Sequence, residues 1–347
     1  MPIFRRGKQE SPPPAAPVAP TVPPVAAAAT PQPSGDAEGQ PPARIQPANG
    51  DPVLAGLLDA ARERDWPAIS TTLGRFTGYD LSALISMTAE KSPSMDEWLP
   101  QAVRADADDP VAMSLLGSRA VYRAWEVRTA GRASRVSQEQ FKTFHEILHE
   151  AEDLLYQAAD ADQESVVPWY FLLMSGRGLE VGMPALQRRF EAATSRCPGH
   201  LDAHRQMLQC LCDKWFGTHE QMHAFALESM RGRYGGQLGE LVPAAHLEQW
   251  LSIKDKDARR AYMTSEPVRA SLAEAASRTI DRPDYTSPRS PYYAQNVFAM
   301  AFGFAGMRPQ ARAAFEATDG IVHGRWAYQN SDQIAAYNQS RNWSTKS

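Results

Sequence analysis

Proline disrupts a helix interior and a central strand alike, because it lacks a backbone N–H and its ring fixes φ. Where the 27 prolines of this 347-residue chain stand limits its fold more than any other feature. Thirteen fall within residues 1–50, a stretch that holds none of the 8 tryptophans. There Pro14, Pro17, Pro20 and Pro23 recur at intervals of three, the period of polyproline II, which has no internal hydrogen bonds and needs no core. Residues 1–50 are therefore expected to form a disordered Pro/Ala-rich tail, a spacer reaching about 3.1 Å per residue. The same Pro-x-x-Pro spacing also suits an aromatic-lined groove on another protein. Of the remaining prolines, Pro52, Pro67, Pro110, Pro168, Pro184, Pro243, Pro291 and Pro309 stand where apolar runs of helical spacing begin. At the first helical turn the missing N–H costs nothing.

Those runs make residues 51–335 an α-helical domain, with 336–347 as a fraying C-terminal tail. Asp51 precedes Val53, Leu54, Leu57, Leu58 and Ala61 at helical spacing, and Trp66-Pro67 opens a second helix. Asp80 is expected to cap a third helix. Ser94-Met95-Asp96-Glu97, Ser137-Gln138-Glu139-Gln140 and Thr218-His219-Glu220-Gln221 have the spacing of capping boxes. Strand-type alternation never lasts beyond a few residues, so the fold class is all-α.

The helices come in pairs, and the pairs repeat. In Tyr293–Gly320, Phe298, Ala299 and Phe302 mark one helix, Gly306 the turn, and Ala311 and Phe315 the next. Val167–Pro198 repeats the scheme with Tyr170, Leu173 and Met174, then Leu186, Phe190 and Ala193, and a closing proline. A third hairpin runs from Leu201 through Leu211 to Phe225, and around Val111–Ala159 the match needs an insertion at Arg128–Arg135. These spacings resemble the tetratricopeptide repeat. A narrower resemblance is carried by Lys214-Trp215-Phe216-Gly217-Thr218-His219-Glu220 together with Phe141, Leu148, Ala151-Glu152, Pro168-Trp169 and Ala203-His204. This pattern is similar to a family of TPR-like bacterial proteins with a Lys-Trp-x-Gly-Ser/Thr-x-Glu signature between two helices. The resemblance covers roughly residues 51–335. It implies a right-handed stack of antiparallel helical hairpins, an α-solenoid, and no assigned activity or catalytic residues.

His145-Glu146-Ile147-Leu148-His149 is a literal His-Glu-x-x-His, which on a helix sets two imidazoles one turn apart to share a zinc, with the glutamate activating water. Its context points to a solvated face instead. Phe141, Phe144, Leu148, Ala151 and Leu155 form the apolar stripe, and both histidines lie off its edge. His200, His204, His219 and His223 stand near Cys197, Cys210 and Cys212. On one helix, however, Cys210 and Cys212 point about 160° apart and cannot converge, while His204 shares the stripe of Leu201 and Leu208. Lys214, Trp215, Phe216, His219 and Glu220 are the candidate partner-binding residues: two aromatic rings as anchor, with Lys214 as charged guide. The rival expectation for the rings is a small satellite core under the turn. Trp169, Trp250 and Trp326 suit helix crossings.

The near-balanced net charge of −4 lacks the footprint of a nucleic-acid binder, and no apolar run reaches the ~18–20 residues of a membrane span. Three clustered cysteines, an odd number, are no disulfide framework and suit a cytoplasmic chain. The chain is thus expected to be a non-enzymatic helical-repeat protein that binds another protein and needs no cofactor. The alternatives are a zinc hydrolase built on His145, Glu146 and His149, and a small-ligand-sensing helical module.

Overall fold

The structure, a computed structural model, describes residues 40–128, 137–286, 289 and 292–346. Its α-helices, in chain order, are α1 (Pro52–Glu63), α2 (Trp66–Leu73), α3 (Gly78–Lys91), α4 (Met95–Ala102), α5 (Pro110–Arg128), α6 (Gln138–Ala161), α7 (Val167–Gly178), α8 (Met183–Arg196) and α9 (Leu201–Cys210). They continue with α10 (His219–Arg231), α11 (Gly235–Leu238), α12 (Leu241–Ser252), α13 (Lys256–Thr264), α14 (Glu266–Arg278), α15 (Tyr293–Phe304), α16 (Arg308–Glu316) and α17 (Gln333–Thr345). Among the described residues there is no strand, and the extended pairing is a single parallel bridge between Arg44 and Ile321. The chain is all-α. No described helix is long and apolar enough to cross a membrane.

Several helix starts follow from the residues that cap them. Asp51 accepts the Val53 and Leu54 N–H groups ahead of Pro52, and Ser137 and Gln140 form a reciprocal capping box. Thr218 accepts from the Gln221 N–H, at 3.2 Å. Two expected caps are not made. Ser94 already has helical φ and ψ, so its hydroxyl is not aimed at the first turn, and it bonds no N–H there. Asp80 lies inside the first turn of α3 behind Thr77; there its charge meets the positive helix end, and its carboxylate pairs with Arg289.

Hairpins are visible in the contacts. Trp125 and Arg128 at the end of α5 face Phe144 and Phe141 at the start of α6, while Gly117 lies against Ala151 and Leu155 farther along. The two helices therefore run antiparallel. A Cβ on Gly117 would stand 2.8 Å from Leu155 Cγ, so the missing side chain lets the pair approach closely. Between α15 and α16, Gly306 turns the chain with φ +69°, the left-handed conformation that glycine adopts without strain.

Most helices pack on their neighbours in sequence, and an alternating set of them also packs on the next but one. The helices α1, α3, α5, α7, α9, α12, α15 and α17 contact in succession as one layer, with α2, α6, α8, α10, α14 and α16 against its back. This inner layer curls until distant members touch: α3 packs on α7, and Tyr79 at the start of α3 donates to Asp202 of α9. Arg289 closes the curl by pairing with both Asp51 and Asp80. Two large apolar clusters, one spanning α1 to α9 and the other α9 to α17, and a small third one of Leu173, Leu186, Met207 and Cys210 fill the molecule, and Trp215 packs against both large ones.

On both sides of residues 51–335, further residues also pack on the body. Residues 40–50 lie along the body, where Arg44 N–H donates to Gly320 O and Val322 N–H donates to Arg44 O, each at 2.8 Å. The expected tail from residue 336 begins inside α17, whose Tyr337 is fully buried against Phe315 and Trp326. Residues 1–39, Pro291 and all but Arg128 of the Arg128–Arg135 insertion lie outside the described residues.

Candidate functional site

The signature loop follows directly from the end of α9. Phe216 N–H donates to Cys210 O and Trp215 N–H to Cys212 O, folding the chain back beneath the helix. A Cβ on Gly217 would sit 2.4 Å from the Leu211 carbonyl oxygen, so only glycine fits the turn. The expected contact residues then divide. Lys214 Nζ reaches inward to Glu248 Oε2 at 2.8 Å. Trp215 is half-buried, edge-on to Trp125 with centroids 6.3 Å apart, and Phe216 packs beside Leu173, Leu186 and Met207. His219 meets Ser252 through Nε2, and Glu220 is exposed. Lys214 and the two rings thus tie the loop to the interior, while Glu220 stands free of them.

Lys214 leads to a cluster that the sequence reading missed. Glu248, nearly inaccessible on α12, gathers Gln209 Nε2 at 2.6 Å, Tyr328 OH at 2.7 Å, Lys214 and Arg325. Burial alone would raise its pKa; the two cations outweigh that and hold the carboxyl well below the usual range. Beside it, Arg205 of α9 pairs with Asp202 at 2.6 Å and Glu240 at 2.6 Å, with its guanidinium 3.8 Å over the Tyr293 ring. Burial raises the Glu240 pKa despite Arg205, and its Oε2 has no partner.

The same polar seam continues along the inner layer. Ser86 of α3 and Tyr122 of α5 share a 2.7 Å hydrogen bond, and Tyr170 of α7 stacks on His200. His200 caps α9: its Nδ1 accepts the Ala203 N–H, and burial pushes its pKa down to about 4. His323, edge-on to Tyr293, is pushed down to about 3 by burial and by Lys91 and Arg205. Glu90 is informative in another way. It is solvent-exposed, yet desolvation raises its pKa, with Asp202 and Glu126 acting in the same sense and Lys91 against.

The other sequence candidates lie elsewhere. His145, Glu146 and His149 are exposed on α6, with His145 against Phe141 and Phe144 and Glu146 3.8 Å from Lys142. His204 bonds the His200 carbonyl through Nδ1 and packs between Phe190 and Phe225. His223 joins a different network, bonding Gln249 at 2.7 Å beside His246, which meets Tyr262 and Ser271. Among the described residues no three His, Cys, Asp or Glu side chains are grouped to hold a metal.

Chemically, the seam offers binding groups. Burial raises the Cys210 thiol to about 11 and Cys212 further, far from a reactive thiolate. Tyr79, Tyr122 and Tyr170 are likewise raised, so their hydroxyls donate and accept hydrogen bonds without ionising. One signal for the seam was present in the sequence: Glu240, Glu248 and Arg205 interrupt otherwise apolar helical stretches. Spacing could not show that they meet, because they converge only when the layer curls. Comparisons with known protein families, curated proteins and solved structures return no match, so the functional reading rests on this geometry.

Proposed function

We propose that this chain is a non-enzymatic helical-repeat protein that holds an extended segment of another protein along its inner layer. The antiparallel α5–α6 pair and the succession of contacts from α1 through α3, α5, α7 and α9 support a right-handed stack of antiparallel hairpins, the α-solenoid arrangement of TPR-like proteins. The observation that carries the binding reading is the row of polar side chains shared by α3, α5, α7 and α9, where Ser86 bonds Tyr122, Tyr79 bonds Asp202 and Tyr170 stacks on His200, with Glu90 of α3 exposed. Tyrosine combines a rigid apolar ring with a polar tip at small entropic cost, which suits peptide recognition. In this reading Lys214, Trp215 and Phe216 brace the helices through Glu248, Trp125 and the Leu173 cluster, and His219 and Glu220 are left to meet the partner. Three free cysteines, two of them buried, favour a reducing cytoplasm.

The test is selection of binders from a random library of unstructured peptides, using the full chain, followed by affinity measurement on Glu90→Gln and Tyr122→Phe. Selected peptides should bind the wild type and lose roughly tenfold or more on the paired variant, the scale of one or two lost charged hydrogen bonds. Peptides that bind all forms equally would overturn the placement on the inner layer.

A further inference from the structure

Most arginines in the interior are held by carboxylates. Arg119 holds Asp96 and Glu126, Arg189 holds Glu152, Arg205 holds Asp202 and Glu240, and Arg325 holds Glu248. Arg128 and Arg177, 2% and 5% exposed, hold no carboxylate. They stand together at the ends of α5 and α7, both leaning on the Trp125 ring, at 5.4 and 5.0 Å from its centroid. Arg177 also lies 5.2 Å over Trp215. The Arg128 Nη1, the Arg177 Nε and both indole nitrogens are buried without an acceptor.

Four orphaned donors around the Trp125 ring, with no acceptor among the described residues, are costly. Buried polar groups are nearly always paired, and buried charges more strictly still. The helix ends explain why cations are tolerated here, yet neither guanidinium bonds a terminal carbonyl, and Gln140 takes that of Val127. The carboxylates within electrostatic reach are otherwise placed: Glu180 is exposed, and Glu248 is already held by Lys214 and Arg325. Cys210 and Cys212, also near Arg177, are neutral thiols.

We propose that Arg128, Arg177 and the indole N–H groups of Trp125 and Trp215 form a binding site for an oxyanion of the phosphate or sulfate type. Two fixed positive charges call for a dianion, which chloride and acetate are not. Guanidinium presents its donors as a planar fork matched to two oxygens of such an ion. Two indole N–H groups add donors that carry no charge. This site is separate from the peptide-binding reading, and neither requires the other.

The experiment titrates the full chain with inorganic phosphate, with O-phosphoserine and with chloride at matched ionic strength, following tryptophan fluorescence and melting temperature. Trp125 and Trp215 flank the site and report on it directly. Phosphate and phosphoserine are expected to give a saturable fluorescence change and a rise in melting temperature that chloride does not. Equal affinity for the two would mark a free-ion site, and tighter phosphoserine binding a site for a phosphate carried on a larger molecule. Arg177→Met and Arg128→Gln should each weaken phosphate binding about tenfold or more. In chloride, Arg177→Met should melt no lower than wild type, because it removes a buried unpaired charge while keeping much of the shape. A chloride response equal to that of phosphate overturns the proposal, as does a phosphate response that survives in the variants. If a variant fails to fold, the wild-type comparison of phosphate with chloride decides alone.

Discussion

Glu248 is ionised at a depth where a lone carboxyl would take up a proton, because Lys214 and Arg325 make the charged form the cheaper one. The buried imidazoles are the opposite case. His200, His246 and His323 are neutral, with pKa values pushed down from 6.5 to about 4, about 3 and about 3 by burial. All these groups have folded pKa values below their unfolded ones, so the sign of the linkage is shared. The histidine contribution is complete above about pH 6.5 and is lost as pH falls toward 4 and then 3; that of Glu248 is lost at still lower pH. The urea midpoint is therefore expected to fall between about pH 7.5 and pH 5, because the unfolded chain binds up to about three more protons. His246→Gln should flatten that slope, and a midpoint unchanged over this range would contradict the neutral assignment. Little of this could be read from spacing. His204 was placed correctly, since its stripe partners are local; the roles of His246 and His323 depend on residues far away in the chain.

At the level of helices, glycine decides how closely α5 and α6 approach. Alanine in a helix interior is favoured over glycine by roughly 1 kcal/mol, so Gly117→Ala would stabilise an isolated α5. In the folded chain the added methyl meets Leu155 Cγ at 2.8 Å and Cδ2 at 2.9 Å, with the Ala151 carbonyl oxygen at 3.3 Å. Overpacking of this kind costs about 1–3 kcal/mol, and it outweighs the propensity gain. A net loss of about 1 kcal/mol is expected in urea unfolding, whereas Gly56→Ala in α1, with nothing within 4 Å, should gain up to about 1 kcal/mol. Equal effects at the two positions would show that the α5–α6 approach is not tight. The helices themselves were legible because proline, caps and apolar spacing act within one or two turns. The missed caps at Ser94 and Asp80 have the same local character, a shift of one to three residues in where the first turn begins. Residues 336–345 read as a tail for another reason: α17 is largely polar, and Tyr337 is buried by Phe315 of α16 and by Trp326, far from it in local spacing.

Across the whole molecule, two apolar clusters share few residues, and Trp215 is one that touches both. Its ring covers Trp125 on one side, and its loop is anchored through Lys214 to Glu248 on the other. Trp215→Ala should cost about 2–4 kcal/mol, a partly buried large-to-small change. It should also turn one unfolding transition into two, observed as circular dichroism and near-ultraviolet signals that no longer coincide. Coincident transitions in the variant would mean that the halves are coupled elsewhere. The curl was the least legible feature of all. Tyr79 with Asp202, and Arg44 with Gly320 and Val322, are pairings set by the accumulated rotation of many helix crossings.

That last contact has a mechanical meaning. The segment from residue 40 is clasped to the far end of the chain by two backbone hydrogen bonds of 2.8 Å and by Arg341 on the Pro41 carbonyl. A pull on the chain ahead of residue 40 meets this clasp before it reaches α1. The clasp therefore works as a fuse: a tug strong enough to part a few hydrogen bonds pays out the strap from 40 to 50, and both apolar clusters remain whole beneath it.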